Sequence, residues 1–220
     1  LVRRSLLNPI QIGNTNLIMR SSDKIIVHGQ NHQDYLLTRK VPGHKVRVIP
    51  HGSFTFFASL GEKQVKPLQG NILFFGKITP YKGLEYLIEA GNLVKQKIPG
   101  MTVTIAGEGD LNKYENLIRG DSHFMVYNSF IADYEVAEFF RKASVVVLPY
   151  VDGSQSSIIS VAGAFKKPVI VTSVGNFAEM VENGSTGFVV PPRNANALAE
   201  ALIKLLASDK LRQQMGQNAY

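Results

Sequence analysis

An open α/β sheet of parallel strands flanked by helices is the fold this sequence predicts, and three observations carry it. Short runs rich in Val and Ile alternate with helical patterns over most of the 220 residues, the order expected of strands joined by helical crossovers. The loops after several runs are crowded with Gly, Ser and Lys, as they are where a sheet presents a ligand crevice beyond its carboxyl ends. With 45% hydrophobic and 19% charged residues, the chain buries a core and is not a disordered one.

In chain order, the runs Lys24 to Val27 and Val46 to Ile49 enclose a helical stretch near 31–39 and make a basic β-α-β piece. Three elements are too few for a core of their own, so this piece should dock on the larger domain or on chain outside this sequence. From Gly52 to about Lys66 the sequence is polar and non-periodic and reads as a linker. The boundary is therefore expected near residue 53, between the basic piece 1–53 and a fuller, Rossmann-like α/β domain 54–220.

In that domain Asn71 to Phe75 reads as a buried strand. A helix over 82–97 follows, because Leu84, Leu87, Ile88 and Gly91 recur at helical spacing. Further strands are expected at Thr102 to Ala106, Phe124 to Tyr127, Val145 to Pro149, Pro168 to Thr172 and Phe188 to Val190, with helices near 110–118, 133–142, 157–165, 176–182 and 196–218. Asp133 is placed to cap one helix and Asn194 or Asn196 the last.

Composition narrows the function. The net charge of +7 is concentrated in residues 1–53, which hold eight Lys or Arg against two acids. This basic quarter suits a solvated face that attracts phosphorylated ligands, a membrane surface or a nucleic acid. No nucleic-acid motif accompanies it and aromatics are not interleaved, so no nucleic-acid partner is expected. There is no apolar run of 18 residues, and the start LVRRSLLNPIQIG lacks a signal-peptide pattern. Cysteine is absent, which excludes disulfides and thiolate metal sites and fits a reducing, cytoplasmic setting. The histidines show no metal-ligand spacing and no Asp-x-Asp pair is present, so neither metal nor other cofactor is predicted.

Four loops could carry chemistry. FFGKITPYKGLEYLIEA, from Phe74 to Ala90, puts Gly76, Lys77, Lys82 and Gly83 between a strand and a helix. Amide donors and the helix dipole favour an anion there, although the segment alone fits an ordinary turn with solvated lysines equally well. IAGEG, from Ile105, has two glycines around Glu108 but no third at dinucleotide spacing, which argues against a dehydrogenase. In LPYVDGSQSSIISVAGAFKKPVIVT, Ser154, Gln155, Ser156 and Ser157 offer hydroxyls and amides at a helix start, for a phosphate or for simple capping. TSVGNFAEMVENGSTGFVVPP adds a glycine turn and Glu179, read alone as a first-turn carboxylate or as an acid serving a ligand.

Taken in order, PHG at Pro50 to Gly52, GKITPYKG, IAGEG, NSFIADYEVAEFFRKASVVVLPY, KKPVIVT and VGNFAEMVENGSTGFVVPP followed by NANALAEALIKLL resemble the donor-binding half of glycosyltransferase family 4, also called group 1, which adopts the GT-B fold. The resemblance runs from about Val46 to Tyr220, and RSSDKIIVHGQNHQDYLL looks like the end of the family's acceptor domain. It implies that Lys77, where the family usually has arginine, and Lys82 neutralise the donor diphosphate, and that the backbone at Phe130 and Ile131 forms the base-binding turn beside Glu108. The family's two glutamates would fall on Gly153 and Val161, neither of them acidic; the chain resembles instead a variant with a SQSG-like loop, here Ser154 to Ser157, in which Asp152 is a candidate substitute for the first carboxylate. His51 is placed to approach a ligand or to serve the turn.

By that resemblance the expected reaction is transfer of a sugar, with retention, from a nucleotide diphosphate sugar such as a UDP or GDP sugar to a glycan or lipid-linked hydroxyl acceptor. The site set is Lys77 and Lys82 on the departing diphosphate, with Gly76, Glu108, Phe130, Ile131, Ser154, Gln155, Ser156, Ser157 and Glu179 holding the donor. The family's layout further implies a cytoplasmic protein, peripheral to the inner face of the membrane through its acceptor domain, and a chain that by itself binds nucleotide without turnover. A non-catalytic nucleotide-sugar-binding module and a sugar-nucleotide epimerase of the same fold are the alternatives.

Overall fold

The computed structural model describes residues 17–60 and 65–220. A small unit comes first: strand β1 (Ile25–Val27), helix α1 (Gln30–Thr38) and strand β2 (Val46–Val48), the strands parallel with Ile25 opposite Val46. A short helix α2 (Thr55–Ser59) leads to the main sheet.

The main sheet is built from β3 (Asn71–Phe75), β4 (Thr102–Ala106), β5 (Phe124–Tyr127), β6 (Val145–Leu148), β7 (Val169–Thr172) and β8 (Gly187–Val190). All pairings are parallel and the order is β5-β4-β3-β6-β7-β8. Between the strands run α3 (Leu84–Val94), α4 (Glu115–Ile118), α5 (Asp133–Lys142), α6 (Ile158–Ala164) and α7 (Phe177–Met180), and after them α8 (Ala195–Leu206) and α9 (Asp209–Ala219). This is the doubly wound order in which the chain starts at the middle, works to one edge, and returns to build the other half.

The central strands β3 and β6 are apolar at every position but Asn71, because both faces are covered. Side chains alternate across a strand, so Ile72 and Phe74 of β3 and Val145 and Val147 of β6 join one core with Leu84, Leu87 and Ile88 of α3 and Leu198, Leu202 and Leu205 of α8. Leu73, Val146 and Leu148 point the other way, onto Val136 and Phe140 of α5 and Ile159 and Ala162 of α6. The result is a three-layer sandwich whose strand order reverses between β3 and β6.

Several sequence expectations are corrected. The stretch Gly52 to Lys66 is not wholly a linker: Thr55–Ser59 is helical, and Phe54 before it and Phe57 within it pack onto the α5–α6 core. Asp133 opens α5 as its first residue and does not cap it; Ala132 holds the cap position and its N–H donates to Glu135 Oε2 at 2.9 Å. The single helix expected over 196–218 is two, because Ser208 leaves helical geometry and its Oγ accepts the Leu211 N–H to start α9. Asn194 caps α8, its Oδ1 accepting the Ala197 N–H at 2.9 Å.

Candidate functional site

At the strand reversal the loop after β3 and the loop after β6 leave the sheet side by side. The first is pinned to the IAGEG turn after β4: Gly76 N–H donates to Ala106 C=O (2.8 Å) and Ile78 N–H to Glu108 C=O (2.7 Å). This close approach is why glycines stand at 107 and 109, since a Cβ would lie 2.4 Å from Gly76 O and 2.3 Å from Ile78 O respectively. Asn128 braces the turn, its amide exchanging hydrogen bonds with Gly109 N–H and C=O at 2.9 and 3.1 Å.

The lysine loop then turns through Pro80–Lys82 into α3, with Gly83 in the left-handed region (φ 66°). Tyr81 C=O accepts the Val151 N–H at 2.8 Å, tying the loop after β3 to the one after β6. Lys82 is folded back beneath this contact. Its side chain is buried, with Nζ 5.4 Å from the centre of the Tyr150 ring and 2.8 Å from where a Cβ on Gly76 would sit. Among the described residues no carboxylate pairs with it. Burial pushes its pKa down to about 8, because a charge out of water is costly when nothing opposes it. A buried cation with no carboxylate beside it is a candidate partner for an anion.

Beside it opens a cleft of about 390 Å³, in the size range of small-molecule sites. Gly76, Lys77, Glu108, Phe130, Ile131 and Ser157 all line it, so six of the eleven residues singled out from the sequence meet in one place. Lys82 adjoins it through Gly76. Phe130 is 75% exposed at this cleft and Lys77 is also exposed, so both are available to a ligand. Sequence reasoning missed the apolar wall from Phe54, Phe57 and Phe75; the phenylalanines of SFTFF were the available signal, set aside with the polar residues around them.

The serine loop divides. Ser157 faces the cleft, whereas Ser156 is buried, with its Oγ 3.5 Å from Tyr150 Oη and accepting the Ile158 N–H at 3.4 Å. Ser154 C=O accepts the Asn176 N–H at 3.0 Å, and the Gln155 side chain pairs with His51. Ser154, Gln155 and Ser156 are not in the cleft wall. Asp152 Oδ1 accepts the Gly153 N–H at 2.8 Å. Val161 lines the cleft as an apolar residue.

Glu179 lies apart. Its Oε2 and Oε1 accept the N–H groups of Gln30 (2.7 Å) and Asn31 (3.0 Å), so it closes the start of α1 across the two units. It lines a second cleft, of about 530 Å³, with His28, His51 and Asn176. Among the described residues no group of three or more His, Cys, Asp or Glu is placed to hold a metal, and no helix is long and apolar enough to cross a membrane.

Residues 69–208 match the family model described as Glycosyl transferases group 1. An uncharacterized glycosyltransferase of Methanocaldococcus jannaschii is 31% identical over 192 residues, which are 81% of this chain and 49% of that protein. The C-terminal domain of the group 1 family protein LpcC from Francisella tularensis superposes with a TM-score of 0.66 at 26% identity, over 77% of this chain and 95% of that domain. HepE of Anabaena, solved in complex with UDP-glucose, shares the fold at a TM-score of 0.82 and 20% identity, over 94% of this chain and 60% of its own. The chain spans about half or less of the length of the curated relatives it matches. Fold, motif order and family model agree, and the chain belongs to the group 1 glycosyltransferases.

Proposed function

We propose that this chain is the donor-binding part, residues 54–220, of a retaining glycosyltransferase, preceded by the end of the acceptor domain in residues 1–53. The donor is a nucleotide diphosphate sugar, a UDP or GDP sugar, and the acceptor a hydroxyl of a glycan or a lipid-linked compound. The observation that carries the reading is the unpaired, buried Lys82 next to a cleft lined by Lys77, Gly76 and Ser157. In the transfer the bond from the anomeric carbon to the phosphate oxygen breaks, and the acceptor oxygen bonds to that carbon on the same face. The acceptor proton passes to the departing phosphate. Negative charge grows on the leaving diphosphate, so two fixed cations and the loop amides stabilise the transition state more than the bound donor. Phe130 and Ile131 take the base, with Glu108 beside them. The basic excess of the first 53 residues supports a place at the inner, anionic face of the membrane.

Titration calorimetry with UDP, GDP and ADP tests the reading on the intact chain and on Lys77→Ala and Lys82→Ala. At least one of the first two nucleotides should bind. Loss of a charge-assisted contact of about 1.5–3 kcal/mol should weaken it roughly ten- to a hundredfold in each variant. Binding of none of the three, or binding indifferent to both substitutions, overturns it. Val161 in the cleft wall favours one second reading, a nucleotide-sugar-binding module without transfer, since an apolar side chain accepts no hydrogen bond from a ribose hydroxyl. A full-length parent that binds donor and transfers to no acceptor extract would establish that module instead.

A further inference from the structure

At the wall of the second cleft stands a polar ring that closes on itself across four segments of the chain. At the end of β1, His28 Nδ1 donates to Ile49 C=O at 2.8 Å. The His28 ring stacks on that of His51, with centroids 4.2 Å apart and planes 19° from parallel. His51 Nε2 in turn contacts Gln155 Oε1 in the serine loop. Ser154 C=O next to it accepts the Asn176 N–H at 3.0 Å, and Asn176 Nδ2 approaches His28 C=O at 3.4 Å, completing the circuit. Gly175 allows the approach of Asn176 to the serine loop, because a Cβ there would sit 2.3 Å from Gly153 O and 2.5 Å from Ser154 O.

We infer that His51 is a positioning residue for the serine loop: its Nε2–H fixes the orientation of the Gln155 amide and thereby the path of the loop that brings Ser157 to the cleft wall. The inference rests on the reading of that loop as part of a sugar-nucleotide site. An amide has one accepting and one donating end. With the oxygen taken by His51, the Gln155 NH₂ is left to donate, outside the cleft wall and with no acceptor among the described residues. The same contact anchors the segment that ends in Ser157, which itself lines the cleft. His51 belongs to the segment after β2 and touches the loop from outside the main sheet, so the loop is shaped by the unit that precedes its own domain.

The test uses three variants of the intact chain. His51→Phe keeps a ring to stack on His28 but removes the N–H, His51→Gln restores an amide donor, and Gln155→Leu cuts the same contact from the other side. Nitrogen-15 NMR of the neutral imidazole should show the proton of His51 on Nε2. Hydrogen exchange of residues 152–158 should accelerate about tenfold in His51→Phe and Gln155→Leu and recover in His51→Gln, while residues 102–106 keep their rate. UDP affinity should fall about tenfold in the first two variants and recover with the third. A bare Nε2, or unchanged exchange of the loop in both His51→Phe and Gln155→Leu, overturns the inference whatever UDP does. A loosened loop in a protein that binds no UDP, GDP or ADP keeps the positioning role and removes the sugar-nucleotide reading instead.

Discussion

Lys82 shows how far a single residue can be read in advance. A lysine between Tyr81 and Gly83, after a strand, already marks an anion site as one of two options. Its burial does not follow from the loop sequence, because the cover comes from Tyr150, brought by a strand far along the chain. That burial has a measurable consequence. Lysine ordinarily titrates near 10.5 and folded Lys82 near 8, so between those values the folded state holds fewer protons than the unfolded one. Stability contributed by this group therefore rises as pH climbs from 8 to 10.5, and below pH 8 the charge costs the fold on the order of 3 kcal/mol. Lys82→Met should raise the melting temperature at pH 7 by several degrees while lowering nucleotide affinity, with the gain in stability vanishing near pH 10.5. Lys167, also lowered to about 8 by burial and by the charge of Arg212, leaves part of the pH dependence in the variant. Calorimetric melting of both proteins from pH 6 to 11 checks this; a variant that melts lower at pH 7, or a gain independent of pH, refutes it. Nucleotide affinity in the unsubstituted chain should weaken above pH 8, where Lys82 loses its proton in the absence of ligand.

At the scale of elements, the junction of the lysine loop with α3 depends on one glycine. Gly83 has φ 66°, and a Cβ on it would lie 2.1 Å from Pro149 O and 3.2 Å from Val151 Cγ1. Gly83→Ala would force apart the two loops that leave the sheet at the reversal point, and would add the strain of a left-handed alanine. A cost above about 2 kcal/mol is expected in urea unfolding, with a loss of nucleotide binding. Gly100→Ala, where nothing lies within 4 Å, should change stability by no more than about 0.5 kcal/mol. Equal effects at the two positions would remove the argument. Elements were legible where the pattern was long and regular, as in Leu84, Leu87, Ile88 and Gly91 of α3. They were not where a few apolar residues sat among polar ones: Phe54 and Phe57 gain their place only from the α5–α6 core they cover. The break at Ser208 hides within a helical pattern on both sides, since a serine is tolerated inside a helix as well as at its start.

For the whole molecule, alternation of strands and helices in the sequence implied a parallel sheet, and the site loops followed from the rule that ligands gather at the carboxyl ends of strands. What the sequence could not show is attachment between units, because contacts such as Glu179 to Gln30 join residues 149 positions apart. Glu179 was legible as a first-turn carboxylate, yet the helix it completes is α1 of the other unit. Its two oxygens take two N–H groups at the start of that helix, where orphan donors and the dipole both favour a negative charge. Asn31 Nδ2 donates back to Gly175 C=O at 2.8 Å, beside the ring through His51 and Gln155. A Cβ on Gly29 would meet Asn176 Nδ2 at 2.7 Å and Glu179 Oε2 at 2.9 Å, so the two units touch with no room for a side chain there. Glu179→Gln keeps the shape and one accepting oxygen but turns an NH₂ towards the second N–H. Leaving that donor unpaired costs about 1–3 kcal/mol, and the cost should fall on the attachment and not on the sheet. Hydrogen exchange over residues 30–38 should accelerate about tenfold or more while β3, β4 and β6 keep their protection. If the sheet strands loosen together with α1, the two units unfold as one and the attachment is part of the common core; if α1 does not change, Glu179 does not hold it.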